Sequence, residues 1–343
     1  MAINNTDTKT LSIIVPCYNS ATTLKTCLDS LLVPHILEEI EVLIVNDGSK
    51  DGTASIAKEY EKKHSCFHLI DKENGGHGSV INVGAQLAKG KYIKILDSDD
   101  WFINFELFVN SIRLATADVV LTNFNTVDPN GDIIREYRAR GLNWHTQYSF
   151  DNIWKQKESI KEVCNFHGIT YRTEFYNSLN LKLSEGISYE DQEYATLPFA
   201  NVQTVLPLDI ALYMYQMGSP TQSVSPANIS RQLTHLEHVF WQLYNYPVQN
   251  ASASAKDYFA YKQSDMLLSC YMSAMVKSQN KKEGRAWAKN LKNTIKKRDT
   301  SLHRRSRFHY YTCAIISRIR LNSASLFNLQ KFNIYKFFAK RMR

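Results

Sequence analysis

Short apolar runs rich in β-branched residues alternate with helical patterns over the first third of the chain. The runs that predict buried strands are LSIIVP (11–16), EVLIV (41–45), CFHLI (66–70), KYIKIL (91–96) and ADVVLTNF (117–124). The segments that predict helices are TLKTCLDSLL (23–32), TASIAKEYEKKH (53–64) and SVINVGAQLAKG (79–90), the last with Gly90 as its C-cap. Such alternation produces βαβ units, so we predict an α/β fold with a doubly wound, mostly parallel sheet.

Beyond about residue 125 the periodicity weakens, and the later signals are mainly helical. A strand is predicted within 164–176, and residues 184–200 are typical of a loop that enters a helix. From about 228 to 300 a helical pattern places apolar residues on one face: Leu233, Leu236, Val239, Phe240 and Leu243. We expect a first domain over 1–215 with halves 10–125 and 126–215, a helical C-terminal region over 216–300, and a basic amphipathic tail over 301–343.

Polar residues follow three of the predicted strands at the point where each strand ends. Tyr18 and Asn19 follow the first strand, Asn46 and Asp47 end the second, and the segment 97–100 follows KYIKIL. The carboxyl ends of parallel strands meet at one edge of a sheet, where doubly wound proteins bind their ligands. We therefore expect these three clusters to form a single site.

The stretch KYIKILDSDDW (91–101) ends a buried strand in a cluster of carboxylates. Asp97, Asp99 and Asp100 lie close together, so their charges repel each other and lose hydration. Hard oxygen ligands on a turn suit Mg²⁺ or Mn²⁺ held together with substrate phosphates, and the position after a buried strand favours this over an ordinary Asp-rich turn. Asp100 has three open interpretations: a metal ligand, a partner of a ligand, or the cap of a helix that starts near Trp101.

Two glycine-containing loops offer further candidate contacts. In NDGSKDGT (46–53), Asp47 can accept hydrogen bonds from a base or ribose, unless the segment is only a capped turn. The segment ENGGHGSVINVG (73–84) is neither a P-loop nor a complete G-x-G-x-x-G, because Ile81 occupies the position of the third glycine. His77 in this loop either contacts a diphosphate or sugar, or has a structural role.

The composition of the 343 residues is that of a globular protein, with 44% hydrophobic and 22% charged residues. Six scattered cysteines without CxxC spacing are typical of buried, reduced thiols, so we expect a cytoplasmic protein. The N-terminal MAINNTDTKT lacks the apolar core of a signal peptide. No apolar stretch approaches the roughly 20 residues that a transmembrane helix needs.

The formal charge of +8 conceals an asymmetry between the two ends of the chain. Residues 281–343 contain 18 lysines and arginines and 2 acidic residues, a net charge of +16, whereas 1–280 contain 23 basic and 31 acidic residues, a net charge of −8. Three partners remain open for the tail 301–343: an anionic membrane surface, the acidic remainder of the chain, and nucleic acid, which we favour least. The first would place the protein peripherally on the inner face of the membrane.

Four segments in this order resemble the motifs of family 2 glycosyltransferases with the GT-A fold: SIIVPCYNS, EVLIVNDGSKDGT, KENGGHGSVINVGAQLAKGKYIKILDSDDW and SYEDQEY. The resemblance covers residues 10–125 densely and 160–225 more thinly. It implies that 1–215 is a catalytic domain and that Asp97-x-Asp99 is the DxD motif of the family. It also implies an inverting, metal-dependent enzyme of hexosyltransferase type.

The resemblance assigns roles to individual residues. Donor binding falls on Pro16, Tyr18 and Asn19 around the base, Asp47 at the uracil or ribose, Asp97 at the ribose or sugar, and the neighbouring Gly76, His77 and Ser98. Asp99 is implied as the metal ligand on the diphosphate, with Asp97 and Asp100 beside it. Asp191 is implied as the catalytic base with Glu190 next to it, although a helix-capping acid is the alternative for Asp191.

One departure from the family pattern concerns the glycine-rich motif, which commonly has an Arg just before the Asn. This chain has Ile81-Asn82 there, so a donor contact made by that Arg is either absent or supplied elsewhere, and we expect His77 in the second case. A later segment, MGSPTQSVSP (217–226), also resembles the family and suggests Gln222 and Ser223 near the donor or acceptor, with a Pro/Ser-rich linker as the alternative.

We therefore expect transfer of a sugar from a nucleotide-sugar donor, a UDP-sugar in our interpretation, to an acceptor hydroxyl. The acceptor is a cell-surface polysaccharide, a glycolipid or other lipid-linked acceptor, or a glycoprotein glycan, and a homodimer remains open. One alternative is a nucleotidyltransferase, which would need a basic loop after the first strand, where PCYNSATT has no Lys or Arg before Lys25. The other is an inactive scaffold that only binds sugar nucleotides.

Overall fold

The computed structural model describes residues 9–218 and 229–318. The chain divides into two compact units. The first comprises Met1–Gln222 with Gln242–Phe259, and the second comprises Ser223–Trp241 with Ala260–Arg343.

In the described part of the first unit, ten strands form one mixed sheet. The strands in chain order are β1 Leu11–Cys17, β2 Ile40–Asp47, β3 Phe67–Lys72, β4 Tyr92–Ile95, β5 Trp101–Phe102, β6 Val119–Val127, β7 Ile133–Tyr137, β8 Tyr148–Ser149, β9 Ile169–Arg172 and β10 Thr204–Gln216. The strand order is β3-β2-β1-β4-β9-β6-β10-β5, while β7 pairs with β6 and β8 with β10. Strands β1 to β4 are parallel to one another, and β6 is parallel to β10, whereas β9, β5, β7 and β8 are antiparallel to their neighbours.

Helices connect and follow these strands. The α-helices are α1 Leu24–Asp29, α2 Thr53–Lys63, α3 His77–Leu87, α4 Phe105–Ile112, α5 Phe150–Trp154, α6 Lys157–Ile160, α7 Thr173–Ser178, α8 Asp191–Tyr194, α9 Ile229–Asn245, α10 Ala253–Tyr271, α11 Lys281–Arg298 and α12 Thr300–Arg318. Within residues 9–218 and 229–318, three 3₁₀ helices span Pro34–Glu39, Phe166–Gly168 and Leu197–Ala200, and a π-helix spans Met272–Lys277.

Strand β1 lies at the centre of the parallel half and is buried along its whole length. Its alternate residues face opposite sides of the sheet. Ile13 joins the apolar cluster that also contains Leu28 of α1, while Ile14 contacts α3, where a Cβ at Gly84 would come within 2.5 Å of its side chain. Helices thus cover both faces, which explains why this strand is a continuous apolar run and confirms the predicted doubly wound arrangement.

The predicted C-cap role of Gly90 is wrong. Helix α3 ends at Leu87, and Ala88 is its C-cap. A Cβ at Gly90 would lie 2.6 Å from the backbone carbon of Leu11, and the Gly90 N–H donates a 2.7 Å hydrogen bond to the Ser12 hydroxyl. The glycine is therefore needed where the chain passes close to β1, not for helix termination.

The predicted helix start near Trp101 is also wrong. Residues Trp101 and Phe102 form the short strand β5, antiparallel to β10, and α4 begins only at Phe105. The strand predicted within 164–176 is shorter than expected, because a 3₁₀ helix and α7 flank β9. At Trp101, pairing with β10 overrides the local helical signal. Because β10 is distant in the chain, the residues next to Trp101 do not predict this pairing.

The predicted apolar face of the helical region is confirmed for Leu236, Val239, Phe240 and Leu243, which are buried, while Leu233 is half-buried. All six cysteines are buried and free, as expected for reduced thiols. Within residues 9–218 and 229–318, none of the helices combines the length and apolar character required to cross a membrane.

Candidate active site

The polar ends of β1, β2 and β4 meet at one edge of the sheet, as predicted. The hydroxyl oxygens of Ser20 and Ser98 lie 2.7 Å apart, which joins the loops after β1 and β4. The side chain of Asn19 accepts a 2.8 Å hydrogen bond from the Lys50 N–H, which joins the loops after β1 and β2. The loops that carry the candidate residues are therefore linked directly to one another.

The side chain of His77 connects the acidic turn to the later acidic motif. Its Nε2 lies 2.9 Å from Oδ1 of Asp97, and its Nδ1 lies 2.7 Å from Oε1 of Glu190. Burial would lower the pKa of His77, but the charges of Asp97 and Glu190 raise it well above its ordinary value. His77 is therefore a cation held between two carboxylates that are 93 residues apart in the chain.

The shared surroundings of Asp97 and Asp100 shift the pKa values of these two carboxyl groups in opposite directions. Burial would raise the pKa of Asp97, but the charge of His77, with smaller effects of His167 and Lys94, lowers it. Burial and the charges of Asp97 and Asp99 raise the pKa of Asp100 well above its ordinary value. A buried carboxyl in such a negative field is stabilised by a neighbouring cation or by a proton.

Asp100 is fixed by two donors from β10. The Tyr213 hydroxyl donates a 2.7 Å hydrogen bond to its Oδ2, and the Gln216 N–H donates one of 2.7 Å to its Oδ1. The same Tyr213 oxygen accepts a 3.1 Å hydrogen bond from the Asp97 N–H. Strand β10 thus holds both ends of the acidic turn, and Asp100 caps no helix.

Ligand atoms of Asp97, Asp100 and His167 lie within 4.8 Å of one another, close enough to hold one metal ion. Nδ1 of His167 is buried and has no hydrogen-bond partner in the described part of the chain. Burial lowers the pKa of His167 to about 4, so the ring is neutral near pH 7 and has a lone pair to offer. Two carboxylates and one neutral imidazole with an unsatisfied ring nitrogen therefore fit a divalent ion.

Asp99 lies outside this group of three. Its half-buried carboxylate makes no hydrogen bond or ion pair with another residue of the segments that the structure covers. Burial and the charge of Asp97 raise its pKa to about 6. The role of Asp99 as a metal ligand stays a prediction.

Lys94 lies beneath the acidic turn and is fully buried in β4. Its ammonium group donates hydrogen bonds of 2.6 and 2.8 Å to the carbonyl oxygens of His167 and Ile169, and it lies 5.6 Å from the ring centre of Tyr213. Burial lowers its pKa to about 7. Lys94 thereby attaches the segment that carries His167 to the strand that carries the acidic turn.

The carboxylate of Asp47 holds the glycine-rich loop. It accepts hydrogen bonds of 2.6 Å from Lys72, 2.9 Å from the Gly75 N–H and 2.8 Å from the Gly76 N–H. The buried carboxylate is thus well satisfied by donors of the protein itself. Its predicted contact to the uracil or ribose stays a prediction.

The glycines of this loop allow α3 to approach the segment before Glu190. Gly76 has a φ of +82°, and a Cβ there would lie 3.0 Å from the Gly186 nitrogen. A Cβ at Gly78 would overlap the Ser184 carbonyl oxygen and lie 2.9 Å from Cγ of Glu190. The loop is therefore glycine-rich because two backbones pack together, a reason that its sequence does not reveal.

Glu190 and Asp191 lie at the start of the short helix α8. Asp191 is its first residue and accepts a 3.0 Å hydrogen bond from the side chain of Gln192, and Glu190 is the buried N-cap. The second oxygen of Glu190 is buried and has no partner among the described residues. The buried Glu193 accepts hydrogen bonds from the N–H and hydroxyl of Ser184, which ties α8 to the loop packed on Gly78.

The remaining predicted residues border the same edge of the sheet. Tyr18 is 55% exposed, unusual for a large aromatic side chain, whereas Pro16 is buried in β1 opposite Val45. The donor-binding roles of Pro16, Tyr18, Asn19 and Ser98 stay predictions. Gln222 and Ser223 lie outside the described residues.

Sequence reasoning missed His167, Lys94, Lys72 and Tyr213. A lysine within the apolar run KYIKIL was a signal, because an unpaired charge is rarely buried. The other three carry no local signal. His167 belongs to a short 3₁₀ helix with no recognisable motif on either side. Its ring stacks on that of Tyr215, with 4.3 Å between the ring centres.

Comparison with known proteins gives two sequence-level findings. Residues 12–179 match the family model described as Glycosyl transferase family 2. The putative glycosyltransferase EpsH of Bacillus subtilis (strain 168) is 40% identical over 167 residues, which are 41% of this chain and 47% of that relative. The match thus spans about half the length of this curated relative, and it confirms the resemblance predicted from the motifs.

Two solved structures share the fold. S. aureus TarS 1-349, in complex with UDP-GlcNAc, has a TM-score of 0.63 at 21% identity, over 91% of this chain and 93% of that chain. The mannosyltransferase PcManGT from Pyrobaculum calidifontis, in complex with GDP-Man and Mn²⁺, has a TM-score of 0.51 at 15% identity, over 91% of this chain and 87% of that chain. The fold is therefore of the GT-A type, as predicted.

Proposed function

We propose that this chain, whose residues 12–179 belong to glycosyl transferase family 2, transfers a sugar from a UDP-sugar to a hydroxyl of a glycan acceptor with inversion. The observation that carries the proposal is the bridge formed by His77, which contacts Asp97 on one side and Glu190 on the other. It brings the acidic turn and the acidic pair of α8 into one site. Donor activation and proton removal can therefore occur side by side.

Asp97, Asp100 and His167 would hold a divalent ion, with Asp99 as a further oxygen ligand. The carboxylates suit Mn²⁺ and Mg²⁺ alike, and the imidazole is a ligand that first-row transition-metal ions bind, whereas Mg²⁺ is bound through oxygen. When bound, the ion would supply positive charge to the departing diphosphate. The Mn²⁺ in the PcManGT complex supports this assignment.

The donor would lie across the carboxyl ends of β1, β2 and β4. The exposed ring of Tyr18 offers a surface for the base, and Asp47 keeps the Gly75–Gly76 loop in place beneath it. Ile81, where relatives commonly have an Arg, is buried. His77 supplies the positive charge instead, and the UDP-GlcNAc in the TarS complex supports a uridine donor.

Asp191 would act as the general base. It lies beside Glu190, whose carboxylate fixes His77, so its position is tied to the donor side of the site. The base takes the proton of the acceptor hydroxyl as the oxygen attacks the anomeric carbon, while the nucleoside diphosphate leaves on the opposite side. One displacement of this kind inverts the anomeric configuration.

The acceptor and the setting are parts of the same proposal. The acceptor would be a glycan or a lipid-linked molecule that becomes part of a cell-surface polysaccharide. Sugar transfer on the cytoplasmic side of the membrane is consistent with a nucleotide-sugar donor. A glycolipid or glycoprotein acceptor would also react through a hydroxyl group, so the same mechanism applies to it. A homodimer stays a prediction.

The decisive experiment is a screen of UDP-, GDP- and TDP-sugars for release of nucleoside diphosphate with and without Mn²⁺. We expect metal-dependent release from a UDP-sugar by the wild type and by Asp132→Asn, which alters an exposed turn, and strongly reduced release by Asp100→Asn. Absence of release from every donor would indicate an inactive binding protein. Pyrophosphate formation from a nucleoside triphosphate and a sugar phosphate would indicate a nucleotidyltransferase.

A further inference from the structure

One side of helix α12 combines arginine with large apolar side chains. At 3.6 residues per turn, positions three, four and seven apart share a face. Tyr311 and Ile315 are 54% and 56% exposed, respectively. The outer face of α12 consists of Arg304, Arg307, Phe308, Tyr311, Ile315 and Arg318.

The opposite side of α12 is packed within its own unit. Leu302, Ser306, Cys313 and Ser317 recur at four- and seven-residue spacing and are buried. On the neighbouring helix α11, the ammonium group of Lys292 lies 4.4 Å from the ring centre of Tyr310. Packing on the buried side fixes the rotation of α12, so its outer face is turned away from the interior.

Strong positive charge surrounds this face. Residues 281–318, which include α11 and α12, contain 12 lysines and arginines and only Glu283 and Asp299 as acids, a net charge of +10. Many of these cations are exposed, among them Lys282, Lys289 and Lys296. Basic residues together with exposed apolar side chains on one helix face are typical of helices that lie on an anionic membrane surface.

Charge restricts what can cover the face. The following residues 319–343 contain 6 basic and no acidic residues, and a second copy of the same face is equally positive, so both would be repelled. Phosphate groups, or the acidic side chains of residues 1–280, satisfy the arginines, but neither alone gives a reason to expose Ile315. An anionic bilayer satisfies both, because headgroups pair with arginine while apolar side chains enter the acyl boundary.

We propose that the outer face of α12 docks on an anionic phospholipid membrane. Arg304, Arg307 and Arg318 contact lipid phosphates, and Tyr311 and Ile315 insert between the headgroups. Binding to the surface places the chain where lipid-linked molecules are concentrated. This interaction is independent of sugar transfer and stands or falls on its own measurement.

The test is flotation of the full chain with vesicles of phosphatidylcholine alone or with 30% phosphatidylglycerol. We expect binding only to the anionic vesicles, with loss at high salt because surface charges are screened. Arg304→Gln/Arg307→Gln should weaken binding about 25-fold, at roughly a factor of five for each basic residue. Tyr311→Ser/Ile315→Ser should weaken it about tenfold through lost apolar burial.

Matched controls change the same residue types elsewhere. Lys25→Gln/Lys58→Gln removes two exposed cations of the first unit, and Leu107→Ser/Leu114→Ser removes two exposed apolar side chains at and after α4. Both controls should bind as the wild type does. Because the α12 substitutions are exposed, circular dichroism should remain unchanged, and the two double variants test the proposal separately.

Failure of the wild type to bind anionic vesicles would overturn the proposal. Wild-type binding by both α12 variants would do the same. Tighter binding to a DNA duplex than to vesicles at the same salt concentration would assign the face to nucleic acid. Because none of these measurements uses enzymatic activity, their failure is distinct from a failure of the proposed transferase reaction.

Discussion

The buried hydroxyl of Tyr213 donates a 2.7 Å hydrogen bond to the carboxylate of Asp100 and accepts one from the Asp97 N–H. One side chain from β10 thus fixes both ends of the acidic turn that follows β4. Since all three residues are buried or half-buried, water cannot readily replace these hydrogen bonds.

Replacement of this tyrosine, Tyr213→Phe, should lower the free energy of unfolding by about 1–3 kcal/mol, because the buried Asp100 carboxylate loses a donor. Urea denaturation measures the change. Tyr311→Phe removes an exposed hydroxyl and should have almost no effect. Equal stability of wild type and Tyr213→Phe would show that the hydrogen bond adds nothing to the fold.

Replacement of the candidate imidazole ligand, His167→Gln, should raise the Mn²⁺ concentration required for half-maximal activity by on the order of tenfold or more. The amide nitrogen of Gln has no available lone pair, so only its neutral carbonyl oxygen could replace the ring nitrogen as a ligand, in a different position. Metal titration of donor hydrolysis, together with direct Mn²⁺ binding by electron paramagnetic resonance, gives the result. His145→Asn, an exposed residue with φ of +57°, is the control, and an unchanged Mn²⁺ affinity for His167→Gln would exclude His167 as a ligand.

Replacement of the proposed base, Asp191→Asn, should lower kcat about 10²–10⁴-fold while donor affinity remains nearly unchanged. The amide keeps the shape of the side chain but cannot accept the acceptor proton. Transfer kinetics and equilibrium binding of UDP separate the two effects. Normal turnover by Asp191→Asn would rule out the assignment, and Asp132→Asn should behave as the wild type.

The pH dependence of stability should reveal the charge of Lys94. Burial lowers its pKa from 10.5 to about 7, so between these values the unfolded chain binds more protons than the folded one. The free energy of unfolding contributed by this group therefore rises with pH across that window, by up to about 1.4 kcal/mol per pH unit.

Urea denaturation of the metal-free protein at pH 7 to 9.5, compared with Lys94→Met, isolates this contribution. We expect the wild type to gain stability relative to the variant as the pH rises. The exposed Lys58→Met should follow the wild-type slope. Parallel slopes for wild type and Lys94→Met would show that the buried lysine has an ordinary pKa.

The close approach of α3 to the loop before Glu190 depends on Gly78. A methyl group there would overlap the Ser184 carbonyl oxygen, so Gly78→Ala should destabilise the fold by about 1–3 kcal/mol and reduce activity by displacing Glu190. Gly52→Ala, where the nearest atom to a new Cβ is 3.7 Å away, is the control. Thermal denaturation and donor hydrolysis of both variants decide the matter, and equal behaviour of the two would contradict the packing argument.

Local patterns predicted the parallel half of the fold well, because β1, β2 and β4 are buried along their whole length. The edge strand β3 is only partly buried. The same patterns indicated the acidic turn at Asp97, because it directly follows a strand. The role of Asp191 was implied only by the family resemblance and stays a prediction. The local patterns failed at Gly90 and at Trp101, where contacts with β1 and β10 decide the conformation.

The remainder of the site depends on contacts between distant segments. His77 meets Glu190, Tyr213 meets Asp100, and the Lys94 ammonium meets a carbonyl after residue 166, although at least 73 positions separate the members of each pair. Periodicity and motifs describe residues within a few turns of one another, so they identify the elements and the acidic turn. Only the packing of β4, β9 and β10 against one another places His167, Lys94 and Tyr213 around that turn, because side-chain contacts depend on distances in space.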